Sequence, residues 1–277
     1  MHFFKICKKI LKLILPPLLV NFYRYINNKE YVYFSGTYRD WQSAKDKSDG
    51  YGNPDILKKV LEATKLVVSG KANYEQDGQV FYKNSYSYEL ISVLLKAALE
   101  NKNRLCVLDF GGALGSTYFS NREFLEDIEN LKWCIVEQNN YVELGKSNFA
   151  NNIISFHDSI EEVLKQNHPN VILFSGVLQY LPEPYVVLKK AINSKADYII
   201  IDRNPFICKG DIILTIQKVP PHLIKSSYPV WLFNEIDFKS FFLNQYAEVE
   251  TFSALDGIIG QGSLKTKFKG IVYKRIK

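Results

Sequence analysis

The strongest constraint on the fold is an alternation, after residue 100, of short apolar runs with segments of helical pattern. Five such runs are bounded by turn-forming or charged residues: LCVLDF, KWCIVEQ, IISFHD, NVILFSG and DYIIIDR. Short apolar runs of this kind predict buried strands. Helical patterns stand between them at 141–149, in SIEEVLKQ and in PEPYVVLKKAI. Strands that alternate with helices pair in parallel, so the sequence predicts an α/β fold with helices on both faces of the sheet.

The rest of the chain fits one domain with an N-terminal extension. Two more strands with a hairpin-like connection are predicted in YAEVETFSA and KGIVYKR. An insert over about 205–240 is rich in aromatic residues and prolines, and its last part has a helical pattern. Helical patterns also cover 86–100 and begin at Asn53–Pro54. We therefore expect an α/β domain over 85–277, preceded by an extension over 21–84.

Residues 1–20 differ in character from the rest of the chain. The lysines at positions 5, 8, 9 and 12 fall on one face of a helical pattern that ends at Pro16. This predicts a basic amphipathic helix, which suits the surface of an anionic membrane through residues 3–15. Packing against the domain or a second subunit is an equal alternative. The helix is too short and too charged to span a bilayer. We expect a cytoplasmic protein, with contact at the inner face of the plasma membrane as one interpretation.

Charge and cysteine usage argue against two other kinds of site. The net charge is +6, and the four lysines of residues 1–20 supply most of it. The globular part is not strongly basic, so no nucleic-acid partner is expected. The four cysteines form no C-x-x-C pair. This spacing predicts reduced, buried thiols and no metal site.

The first apolar run ends in a turn rich in glycine. Asp109, Gly111, Gly112 and Gly115 give the pattern D-x-G-G-x-x-G between a predicted strand and a segment that could open a helix. Glycines at such a turn allow a ligand to approach the backbone closely. The nicotinamide fingerprint G-x-G-x-x-G, ending on Gly115, would need glycine at position 110, where the chain has Phe110. The turn therefore argues against a nicotinamide enzyme.

The turn resembles motif I of class I S-adenosylmethionine-dependent methyltransferases, which is written D-x-G-x-G-x-G. Here the middle glycine is shifted to Gly112, and Ala113 takes its usual place. Glu137 ends the next strand about 20 residues further on, where an acid suits the two ribose hydroxyls of a cofactor. Asp158 follows the strand after that. The resemblance implies that Asp158 and its neighbours contact the adenine amine.

A narrower resemblance runs from about residue 31 to the C-terminus. Six segments resemble an uncharacterised family of bacterial proteins that are assigned as methyltransferases and are often associated with surface-polysaccharide gene clusters: LDFGGALGSTYFSNR, KWCIVEQ, ILFSGVLQYLPEPY, YIIIDRNPF, QKVPP and SYPVWLFNE. The resemblance implies a Rossmann-like class I methyltransferase fold, whose mostly parallel seven-stranded sheet ends in an antiparallel strand, plus a helical N-terminal extension. It implies S-adenosylmethionine as cofactor and a small or glycan-linked acceptor, which we expect to be methylated at oxygen. The alternative is a methyltransferase-like fold retained for binding or assembly without turnover.

Three groups of site residues are expected. The cofactor-binding group comprises Asp109, Gly111, Gly112, Gly115, Glu137, Gln138, Asp158, Ser159, Ser175 and Gln179. The acceptor-binding group comprises Arg122, Arg203, Tyr228 and Trp231. A hydroxyl acceptor needs a base, and the candidates are His222 and Asp202, considered beside His157 and Glu183. Tyr74 or Tyr86 could reach over the cofactor from the extension. Structural alternatives are a strand-end cap for Asp109, a helix N-cap for Ser159, and salt bridges for the two arginines.

Overall fold

The computed structural model describes residues 32–50, 54–219, 226–260 and 264–276. The predicted amphipathic helix of residues 1–20, with its membrane contact through residues 3–15, lies outside the described residues. Within the part of the chain that is described, no helix is long and apolar enough to cross a membrane.

Twelve strands and eight α-helices of the described chain follow one another in a regular order. The N-terminal elements are β1 (Tyr33–Tyr38), α1 (Trp41–Lys45), α2 (Pro54–Val68), β2 (Tyr74–Gln76), β3 (Gln79–Phe81) and α3 (Tyr88–Glu100). The alternating elements are β4 (Arg104–Phe110), α4 (Ser116–Asn121), β5 (Asn130–Val136), α5 (Asn139–Asn148), β6 (Ile154–His157), α6 (Ile160–Gln166), β7 (Val171–Ser175), α7 (Pro184–Asn193) and β8 (Tyr198–Ile207). The C-terminal elements are β9 (Ile213–Val219), β10 (Ser226–Asn234), α8 (Glu235–Ser240), β11 (Tyr246–Ile259) and β12 (Thr266–Arg275).

Seven of these strands form the predicted central sheet, in the order β6-β5-β4-β7-β8-β12-β11. The strands from β4 to β8 pair in parallel. β12 lies between β8 and β11 and is antiparallel to both. The structure thus confirms the mostly parallel, Rossmann-like sheet with a C-terminal antiparallel strand.

Helices cover both faces of this sheet. Neighbouring side chains on a strand point to opposite sides, so each central strand contributes to two cores. On β4, Leu105 belongs to the core that α2, α3, α4 and α5 cover, whereas Cys106 belongs to the core of α6, α7 and α8. Cys106 and Cys134 are free and buried, as predicted. Cys208 departs from that prediction, since its thiol is exposed.

Three further strands extend the sheet past the carboxyl end of β7. The pairing of β7 with β8 ends at Ser175 and Asp202, but β8 continues to Ile207. Its last two residues pair in parallel with Phe233 and Asn234 of β10. β10 is antiparallel to β9, and β9 is antiparallel to β1. We call β1, β9 and β10 the cap sheet. In the described residues the whole sheet therefore has ten strands instead of the predicted seven.

The aromatic insert of residues 205–240 supplies most of the cap sheet. It contains β9 and β10, and the helical pattern at its end corresponds to α8. Pro229 made a strand difficult to predict here, because proline lacks the N–H that a ladder needs. In the fold Pro229 pairs with Ile216 on one side only, since β8 reaches β10 only at Phe233. The open side of β10 therefore tolerates the missing donor.

The extension predicted to be helical contains strands as well as helices. Its strand β1 pairs with β9, so the extension and the insert build one cap sheet. Its strands β2 and β3 form a hairpin around Asp77 and Gly78, whose φ angles are 52° and 75°. Two positive φ angles at the centre of a two-residue turn are typical of hairpins with a type I′ turn. Trp41 of α1 stacks on Trp231 of β10 with ring centroids 6.0 Å apart, which ties the extension to the cap sheet.

Candidate functional site

A cavity of about 1090 Å³ lies where the parallel strands reach their carboxyl ends. From β4 the chain continues to β5 and β6 on one side of the sheet and then to β7 and β8 on the other side, so strand order reverses at β4. Open α/β sheets bind ligands in the crevice at such a point. The cavity walls come from the glycine turn after β4, the ends of β5, β7 and β8, the β2–β3 hairpin and the cap sheet. Residues distant in sequence therefore face one space.

Gly111, Gly112 and Ala113 of the glycine turn line the cavity, whereas Gly115 is not among the lining residues. Gly111 and Gly115 have φ angles of 73° and 98°, in the left-handed region that favours glycine. A Cβ on Gly111 would also lie 2.3 Å from Cγ2 of Val177. Ala113, which stands where motif I has its middle glycine, adopts a φ of 50°. The turn therefore keeps a left-handed conformation at this position without the glycine.

Asp109 lies beneath the turn and is not one of the residues that line the cavity. Its side chain is 1% exposed, and Oδ2 accepts a hydrogen bond of 2.9 Å from Nε1 of Trp133. A Cβ on Gly112 would lie 2.6 Å from Cγ of Asp109. Burial raises the pKa of Asp109 to about 7. Among the described contacts, Asp109 supports the glycine turn from below, so its place in the cofactor-binding group rests on orienting the turn and stays a prediction.

Glu137 and Gln138 line the cavity at the end of β5. One carboxylate oxygen of Glu137 accepts a hydrogen bond of 2.7 Å from the backbone N–H of Gln138. The backbone N–H of Ala113 also bonds this carboxylate, which links it to the glycine turn. Burial of the carboxyl group raises the pKa of Glu137, although the two backbone donors oppose that shift. The remaining lone pairs of the Glu137 carboxylate are suited to accepting hydrogen bonds from hydroxyl groups.

Asp158 and Ser159 line the same cavity after β6. Ser159 is the N-cap of α6, and its hydroxyl accepts a hydrogen bond of 3.2 Å from the backbone N–H of Glu162. Glu162 in turn accepts a hydrogen bond of 2.9 Å from the backbone N–H of Asp158. The structural alternative for Ser159 is therefore present. The Asp158 side chain is exposed.

A bulge in β8 brings two consecutive residues to the cavity. On β12, Lys269 pairs with Asn204 and Ile271 pairs with Ile201, so β8 has one extra residue between these pairs. A regular strand would send Asp202 and Arg203 to opposite faces. With the bulge, and with a φ of 56° at Arg203, both residues line the cavity. Bulges often re-aim side chains next to functional sites.

Asp202 is buried and receives a hydrogen bond of 2.9 Å from the hydroxyl of Ser175. Burial raises its pKa, opposed by Arg203 and by the Ser175 hydroxyl. Gln179 is 2% exposed and donates from Nε2 to the Arg203 carbonyl oxygen at 3.3 Å. Its Oε1 is buried and has no hydrogen-bond partner. Ser175 at the end of β7, Gln179 after β7 and Asp202 within β8 thus meet at the cavity wall.

The Arg203 guanidinium is paired within the protein. Nε and Nη2 donate to the two carboxylate oxygens of Asp256 at 2.9 and 3.1 Å. Asp77 of the hairpin is a second partner at 4.0 Å. The salt-bridge alternative for Arg203 is therefore present, although the side chain also lines the cavity.

Two residues of the acceptor-binding group, Arg122 and Trp231, are not among the residues that line the cavity. The Arg122 side chain folds back on α2 and donates to the Val68 and Val67 carbonyl oxygens at 3.2 and 3.4 Å. It satisfies helix-terminal carbonyls there, which corrects its assignment. Trp231 donates from Nε1 to the Leu181 carbonyl oxygen at 3.0 Å and packs on α1. This packing explains why its ring does not line the cavity.

Some of the remaining candidates line the cavity and others do not. Tyr228 and Tyr74 line the cavity. His157 is buried elsewhere, with Nε2 2.8 Å from the Ser155 hydroxyl, which fits a structural role. Glu183 precedes α7 on the surface, and Tyr86 bonds Glu123 outside the cavity. His222 lies outside the described residues.

Glu75 of β2 lines the cavity and was absent from the sequence-based groups. Its carboxyl accepts hydrogen bonds from the Ser116 hydroxyl, beside the glycine turn, and from the backbone N–H of Gly78 at 3.1 Å. Burial raises its pKa to about 7. The dipeptide Asp77–Gly78 is a hairpin signal, but nothing in the local sequence shows that the hairpin lies over the glycine turn.

No protein-family model matches the chain, and no curated protein matches it. Among solved structures, the N-terminal domain of EvdMO1, determined in the presence of SAH and D-fucose, is 14% identical with a TM-score of 0.48, covering 80% of this chain and 96% of that one. A S-adenosylmethionine-dependent methyltransferase from Clostridium acetobutylicum ATCC 824 is 9% identical with a TM-score of 0.44, covering 69% and 92%. CalS10, an amino pentose methyltransferase from Micromonospora echinaspora, is 10% identical with a TM-score of 0.43, covering 70% and 92%. Identities this low say nothing of a shared substrate.

Proposed function

We propose that the chain is a S-adenosylmethionine-dependent methyltransferase that methylates a small or glycan-linked acceptor at oxygen, in the cytoplasm and in surface-polysaccharide biosynthesis. The observation that carries the proposal is the joint placement of the glycine turn and Glu137 on one cavity. Side chains at Gly111 and Gly112 would collide with Val177 and Asp109, so the backbone there stays bare toward a ligand. Glu137 offers carboxylate oxygens for ribose hydroxyls.

The cavity has room for a cofactor and an acceptor together. Its volume of about 1090 Å³ exceeds the range of about 300–1,000 Å³ that is usual for one drug-sized ligand. The buried, unpartnered Oε1 of Gln179 is a further sign of a polar ligand, because buried acceptors are nearly always hydrogen-bonded. We assign Asp158 and Ser159 to the adenine side, Ser175 to the methionine side, and Gln179 to the boundary between the methionine side and the acceptor.

The bound cofactor would supply an electrophilic methyl group on its sulfonium. The chain's own residues then position the acceptor and remove its proton. Asp202 is the base that we favour, because its carboxyl faces the cavity and the Ser175 hydroxyl holds one of its oxygens. Burial raises its pKa, which brings a carboxylate closer to the range in which it accepts a hydroxyl proton effectively. The cap sheet and the β2–β3 hairpin form part of the wall around this site.

The second candidate is a protein of the same fold that binds without turnover. The observation behind it is Ala113, which replaces the middle glycine of motif I. The φ of 50° at Ala113 favours the methyltransferase, because the backbone at this position is in the left-handed region that glycine adopts readily. Only a turnover measurement separates the two candidates.

The first test is calorimetric titration with S-adenosylhomocysteine, with NAD as the control ligand. We expect micromolar binding of the first ligand and none of the second. Gly111→Val should abolish binding while far-UV circular dichroism shows that the variant is folded. Glu137→Ala should weaken binding by about 1–3 kcal/mol through the loss of hydrogen bonds to the ribose. The matched control is Glu183→Ala, which removes an exposed acid away from the cavity.

A second measurement decides between enzyme and binding protein. Transfer of a labelled methyl group from S-adenosylmethionine to a sugar or sugar-linked acceptor would support the enzyme, and Asp202→Asn should slow it by at least about tenfold. Binding of S-adenosylhomocysteine without transfer to any acceptor would favour the second candidate. A folded sample that binds NAD instead would overturn both.

A further inference from the structure

Carboxyl groups outnumber cations on the side of the cavity beneath the cap sheet. Asp77, Asp202 and Asp256 come from the β2–β3 hairpin, β8 and β11, and all three line the cavity around Arg203. Asp202 and Asp256 are largely shielded from solvent, while the Asp77 side chain is 76% exposed at the rim. One guanidinium therefore faces three carboxyl groups, which leaves a negative local charge.

The cations on the described cavity wall are already paired. Arg203 donates from Nε and Nη2 to the two oxygens of Asp256, in the bidentate geometry that binds carboxylates most strongly. Lys190 is the other cation among the described lining residues, and its Nζ lies 2.8 Å from Glu161. An anionic group of the acceptor placed beside Arg203 would have to break its pair with Asp256 or lie beside uncompensated carboxylates.

A second observation points to a ligand that donates hydrogen bonds. The amide nitrogen of Gln179 donates a hydrogen bond to the Arg203 carbonyl oxygen, which fixes the orientation of the amide. Its buried Oε1 has no hydrogen-bond donor. Asp77 offers further lone pairs at the rim, and its nearest described cation is Arg203 at 4.0 Å. A buried acceptor without a partner destabilises the site by about 1–3 kcal/mol, so a ligand that supplies the donor gains correspondingly.

Building on the proposed methyltransferase function, we propose that the acceptor carries a protonated amine that Asp77 and Gln179 recognise. An amino sugar is the class of compound that combines such an amine with hydroxyl groups. The same wall rejects acceptors that place a phosphate or carboxylate there. A protonated amine has no lone pair, so a neighbouring hydroxyl is the group methylated. Its oxygen forms the new bond to carbon, its proton passes to Asp202, and the electron pair of the broken carbon–sulfur bond stays on sulfur.

The test is calorimetric titration of acceptor probes into the full chain saturated with S-adenosylhomocysteine. The probes are 2-, 3- and 4-amino hexoses, each beside its N-acetylated form, its hydroxyl counterpart and its 1-phosphate. We expect at least one amino hexose to bind about tenfold or more tightly than its matched neutral forms, which is the effect of one charge-assisted hydrogen bond. Tighter binding of a neutral or phosphorylated form, or no binding by any amino hexose, would overturn the inference.

Two variants keep the result tied to the named residues. Asp77→Asn should reduce the preference for the amine about tenfold. Asp256→Asn should release Arg203 and improve binding of the 1-phosphate. Asp211→Asn is the control, because this exposed aspartate lies away from the cavity. If Asp77→Asn leaves the preference unchanged, the carboxyl cluster does not recognise the amine. Binding of S-adenosylhomocysteine is measured first, so its failure would refute the proposed function separately.

Discussion

Gly112→Ala tests whether the buried Asp109 carboxyl fixes the shape of the glycine turn. A Cβ at this position would lie 2.6 Å from both Cγ and Oδ2 of Asp109, which are its nearest neighbours. Asp109 cannot move freely, because its Oδ2 accepts the hydrogen bond from Trp133 and its side chain is 1% exposed. The backbone at Gly112 is outside the left-handed region, so conformational strain does not contribute.

The magnitude follows from two effects. Pushing Asp109 aside breaks its bond to Trp133 and leaves a buried N–H unpaired, which destabilises by about 1–3 kcal/mol. If the carboxyl stays, the overpacked turn destabilises by a similar amount of about 1–3 kcal/mol. Either way, we expect Gly112→Ala to lower the free energy of unfolding by about 1–3 kcal/mol.

A double-mutant cycle with Asp109→Ala supplies the control. Asp109→Ala removes both atoms that the new Cβ would meet, so Gly112→Ala should then lower the free energy of unfolding by less than about 1 kcal/mol. The assay is urea unfolding followed by far-UV circular dichroism, since Trp133 fluorescence itself changes with its hydrogen bond. Equal effects of Gly112→Ala in the two backgrounds would refute the idea that Asp109 requires a glycine at this position.

Further predictions concern the same turn and its surroundings. Ala113→Gly should raise the free energy of unfolding by about 0.5–1 kcal/mol, because glycine adopts the left-handed φ at this position without steric strain; a decrease in urea unfolding would contradict this. Arg122→Ala should lower the melting temperature slightly, through loss of its bonds to the end of α2, and leave the affinity for S-adenosylhomocysteine unchanged, as calorimetry can check. The pKa of Asp109 is about 7 in the fold and about 3.9 in an unfolded chain, so its protonated form favours folding at low pH and this stability is lost as pH rises from about 4 to 7. Asp109→Asn should therefore show a smaller loss of unfolding free energy between pH 5 and 8 than the parent chain, and an equal loss in urea titrations would exclude this cause.

The central sheet could be predicted because the composition of each strand reflects how deeply the strand is buried. β4, β7 and the first part of β8 are covered on both faces, so they read as continuous apolar runs bounded by turns. Parallel order then brings the ends of these strands to one edge. Glu137 and Asp158 follow β5 and β6, Ser175 ends β7 and Asp202 lies within β8, and all four line one cavity.

The cap sheet could not be predicted in the same way, because its pairing joins distant segments. Tyr33 of β1 pairs with Lys218 of β9, and no local pattern specifies such a partner. The same reason hides Glu75 and Asp256, whose places at the cavity depend on how the hairpin and β11 fold over the sheet. Arg122 shows the opposite difficulty, since a long side chain near the glycine turn can fold back on a helix.

The bulge at Asp202 and Arg203 divides β8 into two halves that have different parallel neighbours. The first half pairs with β7, whereas the last two residues pair with β10. On its other edge β8 pairs with β12 through both halves, so the inserted residue changes the parallel neighbour without interrupting the antiparallel one. The bulge thus makes β8 a joint between the parallel sheet, which carries the glycine turn, and the cap sheet.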